Sequence, residues 1–321
     1  MKRQSSRLDL HSVRHDGCLN CANREEREAN EEDGLCAAVV AVSDGLPVRC
    51  VGPWAYDKIY RLVKYFGIFT QGMKNLWSGK LNYIEICSGP GRCIVRRSRE
   101  EIDGTPLAIL NSPGFQILNR ALFIDSSQTV VDALNRRIQV VPGAGAKAQA
   151  VIGDYKDTQG VGCALAMFPK DHLNLVLLDP TNCDVPFETV RAIDRVLGRV
   201  DFIINVAVGT DANRNLAMAV LDPRLAGTRE KYDAFLGTPG FCTCTEVKEA
   251  AVLNDHRELR RLFTEEYKSN LARLGYCHTD IRPVQNYYYL LFASKKEQGL
   301  KFWRKACTYA PSGQKELALD T

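Results

Sequence analysis

Short apolar runs alternate with helix-like patterns through most of the chain beyond residue 80. Each run is short enough for one strand and has the continuous apolar character of strands that are buried on both faces. The predicted strands are Tyr83–Cys87, Ala121–Asp125, Gln149–Gly153, Leu173–Leu178 and Phe202–Val206. The predicted helices between them are Pro106–Leu110, Gln128–Gln139 and Phe187–Leu197. This order predicts an α/β fold in which helices cover both faces of a mostly parallel sheet.

Segments outside this alternation refine the predicted fold. Aromatic and apolar residues recur at roughly helical spacing from Trp54 to Trp77, which predicts an amphipathic helix or helix pair on the sheet. The charged, periodic segment Asp255–Leu274 predicts a long helix. The last predicted strands, Asp280–Val284 and Tyr287–Ala293, flank a short turn and form a β-hairpin. A dinucleotide-binding fold would end in another crossover helix, whereas an antiparallel last strand resembles the Rossmann-like sheet of class I S-adenosylmethionine-dependent methyltransferases.

The first predicted strand ends in an acidic residue that is followed by closely spaced glycines. Glu85 precedes Gly89 and Gly91, with Pro90 between the two glycines. Glycines let the backbone adopt positive φ and approach a ligand, and a carboxylate at a strand end accepts hydrogen bonds from an amino group or a sugar hydroxyl. The pattern predicts a ligand-binding loop, with a simple tight turn as the alternative.

Three later strands also end in acidic residues: Asp125, Asp154, and Asp179 with Pro180 directly after it. In a doubly wound sheet, ligands bind outside the carboxyl ends of the strands, so these side chains are expected to converge on one crevice. Asp125 is placed to hold two ribose hydroxyls, and Asp154 to meet the amino edge of an adenine. Asp179 and Pro180 are expected beside the reacting centre. The set predicts an adenosine-containing ligand.

Each acidic residue also has a purely structural interpretation. Asp125 and Asp154 would serve as helix N-caps, and Asp179-Pro180 would start a turn. For the ligand, NAD is the competitor, but its fingerprint requires a third glycine that this chain lacks after Gly91. The sequence contains no P-loop motif. An acidic site without a phosphate-binding motif favours S-adenosylmethionine, whose sulfonium group is positively charged.

Composition limits the class of protein. The chain has 321 residues, 45% of them hydrophobic, which is enough for one substantial core and a small accessory module. Its net charge of +4 permits an anionic partner such as nucleic acid without requiring one. No apolar run approaches the roughly 20 residues that cross a bilayer, and the polar start of the chain lacks the centre of a signal peptide. The expected location is the cytoplasm.

Four of the twelve cysteines cluster near the N-terminus: Cys18, Cys21, Cys36 and Cys50. Cytosolic thiols stay reduced, so metal ligation or ordinary buried thiols are expected before disulfides. Cys18 and Cys21 form a knuckle-like pair, and the polar residues that follow contain little that could pack a core. A four-thiolate zinc site would supply the missing cross-link.

The cysteine cluster sets the predicted domain boundary. Residues 1–52 are predicted to be a Cys-rich module that binds zinc, and residues 53–321 to be a methyltransferase-like α/β domain with a C-terminal helical insertion and hairpin. His11 or His15 would be able to replace one thiolate. Free thiols and an iron–sulfur cluster are the alternatives to zinc. The basic residues near the C-terminus are interpreted as a solvated helix face.

A series of motifs in order along residues 51–305 resembles the three-Cys-motif partner protein family. The motifs are Val51-Gly52-Pro53-Trp54 with Lys58, Tyr83-Ile84-Glu85 with Gly89-Pro90-Gly91-Arg92, Asp103-Gly104-Thr105-Pro106-Leu107, Phe123-Ile124-Asp125, Gly153-Asp154, Leu178-Asp179-Pro180, Ile203-Ile204-Asn205 with Arg214, and Phe292-Ala293-Ser294 with Phe302-Trp303. The family has a methyltransferase-like fold and occurs in bacterial and mobile-element genomes. The resemblance implies a partner protein bearing a three-cysteine motif, related to radical S-adenosylmethionine proteins and to phage proteins.

The chain departs from this family at several positions. Glu85 stands where aspartate is usual, and Thr105 stands where serine is common. Thr181-Asn182 follows Asp179-Pro180, where base N-methyltransferases often have an aromatic ring that stacks on a flipped base. Amino-group methylation of DNA is therefore disfavoured. The leading interpretation is a methyltransferase that acts with the three-Cys partner, on nucleic acid or another acceptor. The alternative is a non-catalytic binding or scaffold subunit.

Overall fold

A computed structural model describes residues 13–14, 21, 29, 31–32, 34–96, 98–309 and 313 of the chain. It divides into two compact units. The first comprises Met1–Ile152 with Lys301–Thr321, and the second comprises Gly153–Leu300.

The strands and helices are numbered in chain order. The strands are β1 (Val13–Arg14), β2 (Glu31–Glu32), β3 (Leu35–Cys36), β4 (Arg49–Val51), β5 (Leu81–Ile86), β6 (Arg92–Val95), β7 (Glu100–Asp103), β8 (Arg120–Asp125), β9 (Ala148–Ile152), β10 (Leu173–Leu178), β11 (Val200–Val206), β12 (His278–Val284) and β13 (Tyr288–Ser294). The helices are α1 (Trp54–Met73), α2 (Thr105–Leu110), α3 (Gln128–Val140), α4 (Thr158–Leu165), α5 (Phe187–Leu197), α6 (Asn213–Leu221), α7 (Ala226–Leu236), α8 (Thr245–Val252), α9 (His256–Arg273) and α10 (Glu297–Ala306). None of the helices in the described ranges is both long and apolar enough to span a bilayer.

The central sheet has seven strands in the order β12-β13-β11-β10-β5-β8-β9. The pairs β5–β8, β8–β9 and β10–β11 are parallel. Strand β13 runs antiparallel to both β11 and β12. This order confirms the predicted α/β fold with a Rossmann-like methyltransferase sheet and an antiparallel last strand. The five predicted strands and the hairpin each match an observed strand to within a few residues.

In the first unit, strand β5 is buried along its whole length, including the polar residues Asn82 and Glu85. Helix α1 packs aromatic rings on this side of the sheet: the rings of Phe66 and Tyr83 meet edge to face at 5.7 Å. Tyr65 meets Trp303 of α10 in the same way at 5.5 Å. The basic residues of α10 face solvent, as predicted.

The first unit also contains a four-stranded sheet, β1-β7-β6-β4, that the sequence did not predict. Strand β6 follows the glycine loop directly and pairs in parallel with β4 and antiparallel with β7. Its apolar side chains contact one face of α1 in a cluster that includes Ile59, Val95 and Ile102. The N-terminal segment around β4 is therefore fixed against the strand that leaves the glycine loop.

In the second unit, helices α6 to α9 fill the chain between β11 and the hairpin. Only α9 was predicted, and its N-cap Asp255 accepts hydrogen bonds from the N–H groups of Arg257 and Glu258. An aromatic cluster holds these helices together. Its rings lie 4.8 to 5.9 Å apart and belong to Phe187, Tyr232, Phe235, Phe241, Phe263 and Tyr267.

Candidate functional site

The loop after β5 turns through three residues with positive φ. Gly89 has φ of 68° and Gly91 of 89°, as the glycine pattern predicted. Cys87 also has a positive φ, 64°, which is unusual for a residue with a side chain. The N–H groups of Cys87 and Ser88 both donate to the carbonyl of Ile124 on β8, at 2.9 and 3.2 Å. These two hydrogen bonds hold the strained turn in place.

Gly91 is enclosed so tightly that no side chain would fit there. A Cβ on this residue would lie 2.9 Å from Leu134 Cδ1 and 3.2 Å from Leu107 Cγ. Its carbonyl accepts from the Gly104 N–H at 2.7 Å. A Cβ on Gly89, by contrast, would meet only the Arg49 side chain, at 3.7 Å or more. Gly91 is thus required for packing, while Gly89 leaves its outer face open to a side chain or a ligand.

Arg137 on α3 stabilises the glycine loop through hydrogen bonds to backbone carbonyls. Its Nη1 donates to the carbonyls of Pro90 and Pro47, at 2.7 and 2.8 Å. Its Nε and Nη2 donate to the two carboxylate oxygens of Asp44, at 2.8 and 2.9 Å. The Arg137 side chain is only 2% exposed. One buried guanidinium therefore ties the glycine loop to the N-terminal turn at residues 44–47.

Glu85 lies beneath this loop and is wholly buried. One of its oxygens accepts from the Tyr83 hydroxyl at 2.9 Å, and the other accepts from the Thr105 hydroxyl. Thr105 thus supplies a hydroxyl contact to the buried carboxylate. Both Glu85 oxygens accept hydrogen bonds from protein hydroxyls, so this carboxylate has a structural role beneath the loop.

Asp125, at the end of β8, bonds directly to the glycine loop. Its Oδ2 accepts from the Gly89 N–H at 2.9 Å, and its Oδ1 accepts from the Ser127 N–H at 3.3 Å. Ser127, two residues later, is the N-cap of α3. Asp125 is therefore not a helix cap. It is half-buried, and a carboxylate with one hydrogen bond at each oxygen keeps further lone pairs available.

Ser88 was not singled out from the sequence. It is 6% exposed, and its Oγ has no hydrogen-bond partner among the residues that the structure describes. A buried hydroxyl without a partner costs about 1–3 kcal/mol. This hydroxyl in the strained glycine loop is therefore available to form a hydrogen bond with a polar ligand.

In the second unit, Asp154 follows β9 and is exposed. Its Oδ1 accepts from the Lys156 N–H at 2.8 Å, which closes a short turn. The N-cap of α4 is Asp157, whose side chain accepts from the Gly160 N–H. Asp154 is therefore not a cap either, and its second oxygen accepts no hydrogen bond within the described part of the chain.

Asp179 and Pro180 follow β10 in the second unit, and both are held by one side chain. Asn205 Nδ2 donates to Asp179 Oδ1 at 3.1 Å and to the Pro180 carbonyl at 2.9 Å. Asp179 and Asn205 are 8% and 5% exposed. Thr181 and Asn182, which follow, face solvent. Asn205 thereby fixes the carboxylate and the rigid turn that the sequence placed beside the reacting centre.

Asp211 is a second anchor of the same turn. It lies in a π-helical turn, Val208–Ala212, directly after β11. The Cys183 N–H and Lys231 Nζ donate to its Oδ2 at 2.9 and 2.6 Å. Its Oδ1 accepts from Asn215 Nδ2 at 2.9 Å and from the Tyr232 hydroxyl at 2.8 Å. Burial raises the pKa of Asp211, but the hydrogen bonds outweigh it and lower the pKa below its usual range.

Three of the four predicted zinc ligands, Cys21, Cys36 and Cys50, are half-buried, and Cys18 lies outside the described residues. Burial raises the pKa of Cys50, the guanidinium of Arg96 lowers it, and the nearby thiols of Cys36 and Cys21 raise it further, with a net increase. Among the described residues, no group of three or more potential ligands has the arrangement of a metal site.

Known proteins resemble this chain in structure but not in sequence. No family model and no curated protein sequence matches the chain. A magnesium protoporphyrin IX methyltransferase from Synechocystis, solved with bound SAH, aligns over 74% of this chain and 86% of its own at 15% identity and a TM-score of 0.35. Spermidine synthase from Thermotoga maritima aligns over 85% and 70% at 13% identity and a TM-score of 0.38. A methyltransferase from Geobacter sulfurreducens aligns over 72% and 78% at 13% identity and a TM-score of 0.35. The methyltransferase-like fold therefore rests on the strand order of the central sheet.

Proposed function

We propose that the protein is an S-adenosylmethionine-dependent methyltransferase. The observation that carries this proposal is the glycine loop after β5, which combines two positive-φ glycines with the unpaired, buried Ser88 hydroxyl and a hydrogen bond to Asp125. The fold agrees with it, since an antiparallel β13 beside β11 distinguishes the sheet from that of a dinucleotide dehydrogenase.

The residues of the first unit would hold the cofactor. Gly89 and Gly91 would let the backbone approach the amino-acid end, and Asp125 would accept hydrogen bonds from the ribose hydroxyls. Glu85 would support the loop through Thr105 instead of touching the ligand. When bound, S-adenosylmethionine supplies a methyl group on a positively charged sulfur.

Asp179 would orient the group that receives the methyl. Its carboxylate is aligned by Asn205, and its following proline limits the conformations of the turn. Transfer from a sulfonium requires mainly alignment and exclusion of water, so one fixed hydrogen-bond acceptor is sufficient. The exposed Thr181-Asn182 pair supplies no stacking ring, which supports an acceptor other than an amino group of a flipped base.

Calorimetry with S-adenosylmethionine and S-adenosylhomocysteine tests the cofactor. We expect both to bind the wild-type chain, and Asp125→Ala to weaken both by about 10- to 100-fold, because hydrogen bonds to a charged group contribute roughly 1.5–3 kcal/mol. The control is Asp132→Ala, the same change at an exposed position of α3. A wild-type dissociation constant above about 1 mM would leave only the scaffold function. Transfer of labelled methyl groups to cell-extract acceptors, lost in Asp179→Ala, tests catalysis.

We also propose that Cys18, Cys21, Cys36 and Cys50 bind a structural zinc ion. The hydrogen bond from the Cys36 N–H to the Val48 carbonyl, which draws β3 towards β4, supports this. We expect the purified protein to contain about one zinc per chain. Cys50→Ala should lose the metal, and Cys163→Ala, an exposed cysteine, should keep it. Metal-free wild-type protein with normal stability would contradict the site.

The resemblance to three-Cys-motif partner proteins supports a further proposal, that a protein with this motif is the partner or presents the acceptor. Co-purification from the native host followed by mass spectrometry tests it directly. Recovery of nucleic acid in place of such a protein would favour a nucleic-acid acceptor.

A further inference from the structure

The side chain of Arg49 lies against the glycine loop. It is the first residue of β4, and its side chain reaches Gly89: a Cβ on that glycine would lie 3.7 Å from Arg49 Nη1 and 4.0 Å from its Cδ. The other edge of the guanidinium borders Gly34, where a Cβ would lie 3.7 Å from Nη2. The two glycines leave room for this group between them.

The guanidinium is half-buried but makes no hydrogen bond or ion pair in the part of the chain that the structure describes. Carboxylates of the neighbouring strands are already paired. Asp44 bonds to Arg137, and Arg92 Nη1 lies 3.4 Å from both Glu101 and Asp103. Removing a cation partly from water costs free energy unless an anion compensates it. Within the described residues, no carboxylate compensates the charge of Arg49.

S-adenosylmethionine carries one anionic group, the carboxylate of its amino-acid end. A guanidinium presents paired N–H donors whose planar geometry matches a carboxylate. Ser88 adds a buried hydroxyl in the same loop that has no partner. We infer that Arg49 binds the carboxylate of S-adenosylmethionine at the Gly89 turn. This inference rests on the proposed function and identifies the residue that recognises the amino-acid end of the cofactor.

The position of Arg49 also gives the N-terminal segment a role in the site. Arg49 and Cys50 are successive residues of β4, so their side chains point to opposite faces of the strand. One face would hold the proposed zinc ligand and the other the cofactor carboxylate. The parallel register of β4 with β6 pairs Arg49 with Cys93, and this pairing fixes the position of Arg49 along the strand next to the glycine loop.

Calorimetry with two ligands tests this inference. S-adenosylhomocysteine has the carboxylate, and 5′-methylthioadenosine lacks the whole amino-acid group. We expect Arg49→Gln to bind S-adenosylhomocysteine about 10- to 100-fold more weakly and 5′-methylthioadenosine equally well. The affinity of Arg49→Lys for S-adenosylhomocysteine should lie between those of the wild type and Arg49→Gln, since lysine keeps the charge but lacks the paired N–H donors of the guanidinium. Arg136→Gln, on the exposed face of α3, is the matched control.

The outcomes separate this inference from the proposed function. If the wild type binds neither ligand, the proposed function fails and the inference fails with it. If the wild type binds S-adenosylhomocysteine and Arg49→Gln binds it equally well, only the inference fails. Equal weakening of both ligands would also overturn it, because Arg49 would then support the loop in general. Tighter binding of ADP than of S-adenosylhomocysteine would assign the guanidinium to a phosphate instead.

Discussion

Replacing Arg137 by methionine is expected to lower the free energy of unfolding of the first unit by about 3–5 kcal/mol, the usual cost of breaking a buried ion pair. The change removes both hydrogen bonds to Asp44 and those to the carbonyls of Pro47 and Pro90. Asp44 is 25% exposed, so water recovers part of its solvation, but the Pro90 carbonyl remains buried without its donor. The glycine loop loses its lower anchor, and S-adenosylhomocysteine binding is expected to weaken with it.

Urea denaturation followed by tryptophan fluorescence measures this effect, because Trp54, Trp77 and Trp303 all belong to the first unit. Arg136→Met is the matched control, since Arg136 is the neighbouring residue on α3 and is exposed. Arginine and methionine have similar helix propensities, so the control should change stability by less than about 0.5 kcal/mol. Equal effects of the two substitutions would show that the buried guanidinium does not stabilise the loop.

The same ion pair predicts an acid dependence. Burial raises the pKa of Asp44, but the hydrogen bonds from Arg137 and the Leu46 N–H and the charges of Arg137 and Arg92 outweigh burial, so the pKa lies below its usual value. A carboxylate with a lowered folded-state pKa stabilises the protein above its unfolded value of 3.8, and this contribution disappears as the pH falls through the folded-state pKa. The stability difference between wild type and Asp44→Asn should therefore shrink below about pH 4.

The strands of the central sheet were predictable because the local sequence of each strand indicates its burial. Leu173–Leu178 and Phe202–Val206 are continuous apolar runs, and strands covered on both faces need such runs. Strands β6 and β7 were missed because Glu101 and Asp103 look like solvent-facing charges. Their burial depends on Arg92, and the sequence alone cannot show that pairing.

The candidate site divides in the same way. Glu85, Gly89 and Asp125 stand at or just after strand ends and were proposed from position alone. The residues that support them were not predicted. Arg137, for example, looks like an ordinary charged helix residue in the sequence, and its partner Asp44 lies 93 positions away. Asn205 and Asp211 sit at and after the end of β11, where a polar residue has many uses. The helix caps, Ser127 and Asp157, lie two or three residues beyond the aspartates first considered for that role.

Replacing Asp211 by alanine is expected to destabilise the second unit by about 3–5 kcal/mol. The change leaves the Cys183 N–H and the Tyr232 hydroxyl without an acceptor and removes the partner of Lys231, whose ammonium is 29% exposed. Asp211→Asn should cost less, about 1–3 kcal/mol, because its amide oxygen still accepts while its NH₂ group faces donors. Glu258→Gln, which breaks a solvent-exposed ion pair with Arg261, is the control and should have little effect.

The second unit contains no tryptophan, so thiol labelling is used to measure the effect of Asp211→Ala. Cys183 is wholly buried, and burial raises the pKa of its thiol, so it should react slowly in the wild type. Cys163 is exposed in the same unit and serves as an internal standard. In Asp211→Ala the labelling rate of Cys183, located by mass spectrometry, should rise by about 100-fold relative to Cys163, because local opening becomes roughly 3 kcal/mol less costly. An unchanged rate would show that Asp211 does not hold the turn after Asp179, and methyl transfer should then also be unaffected.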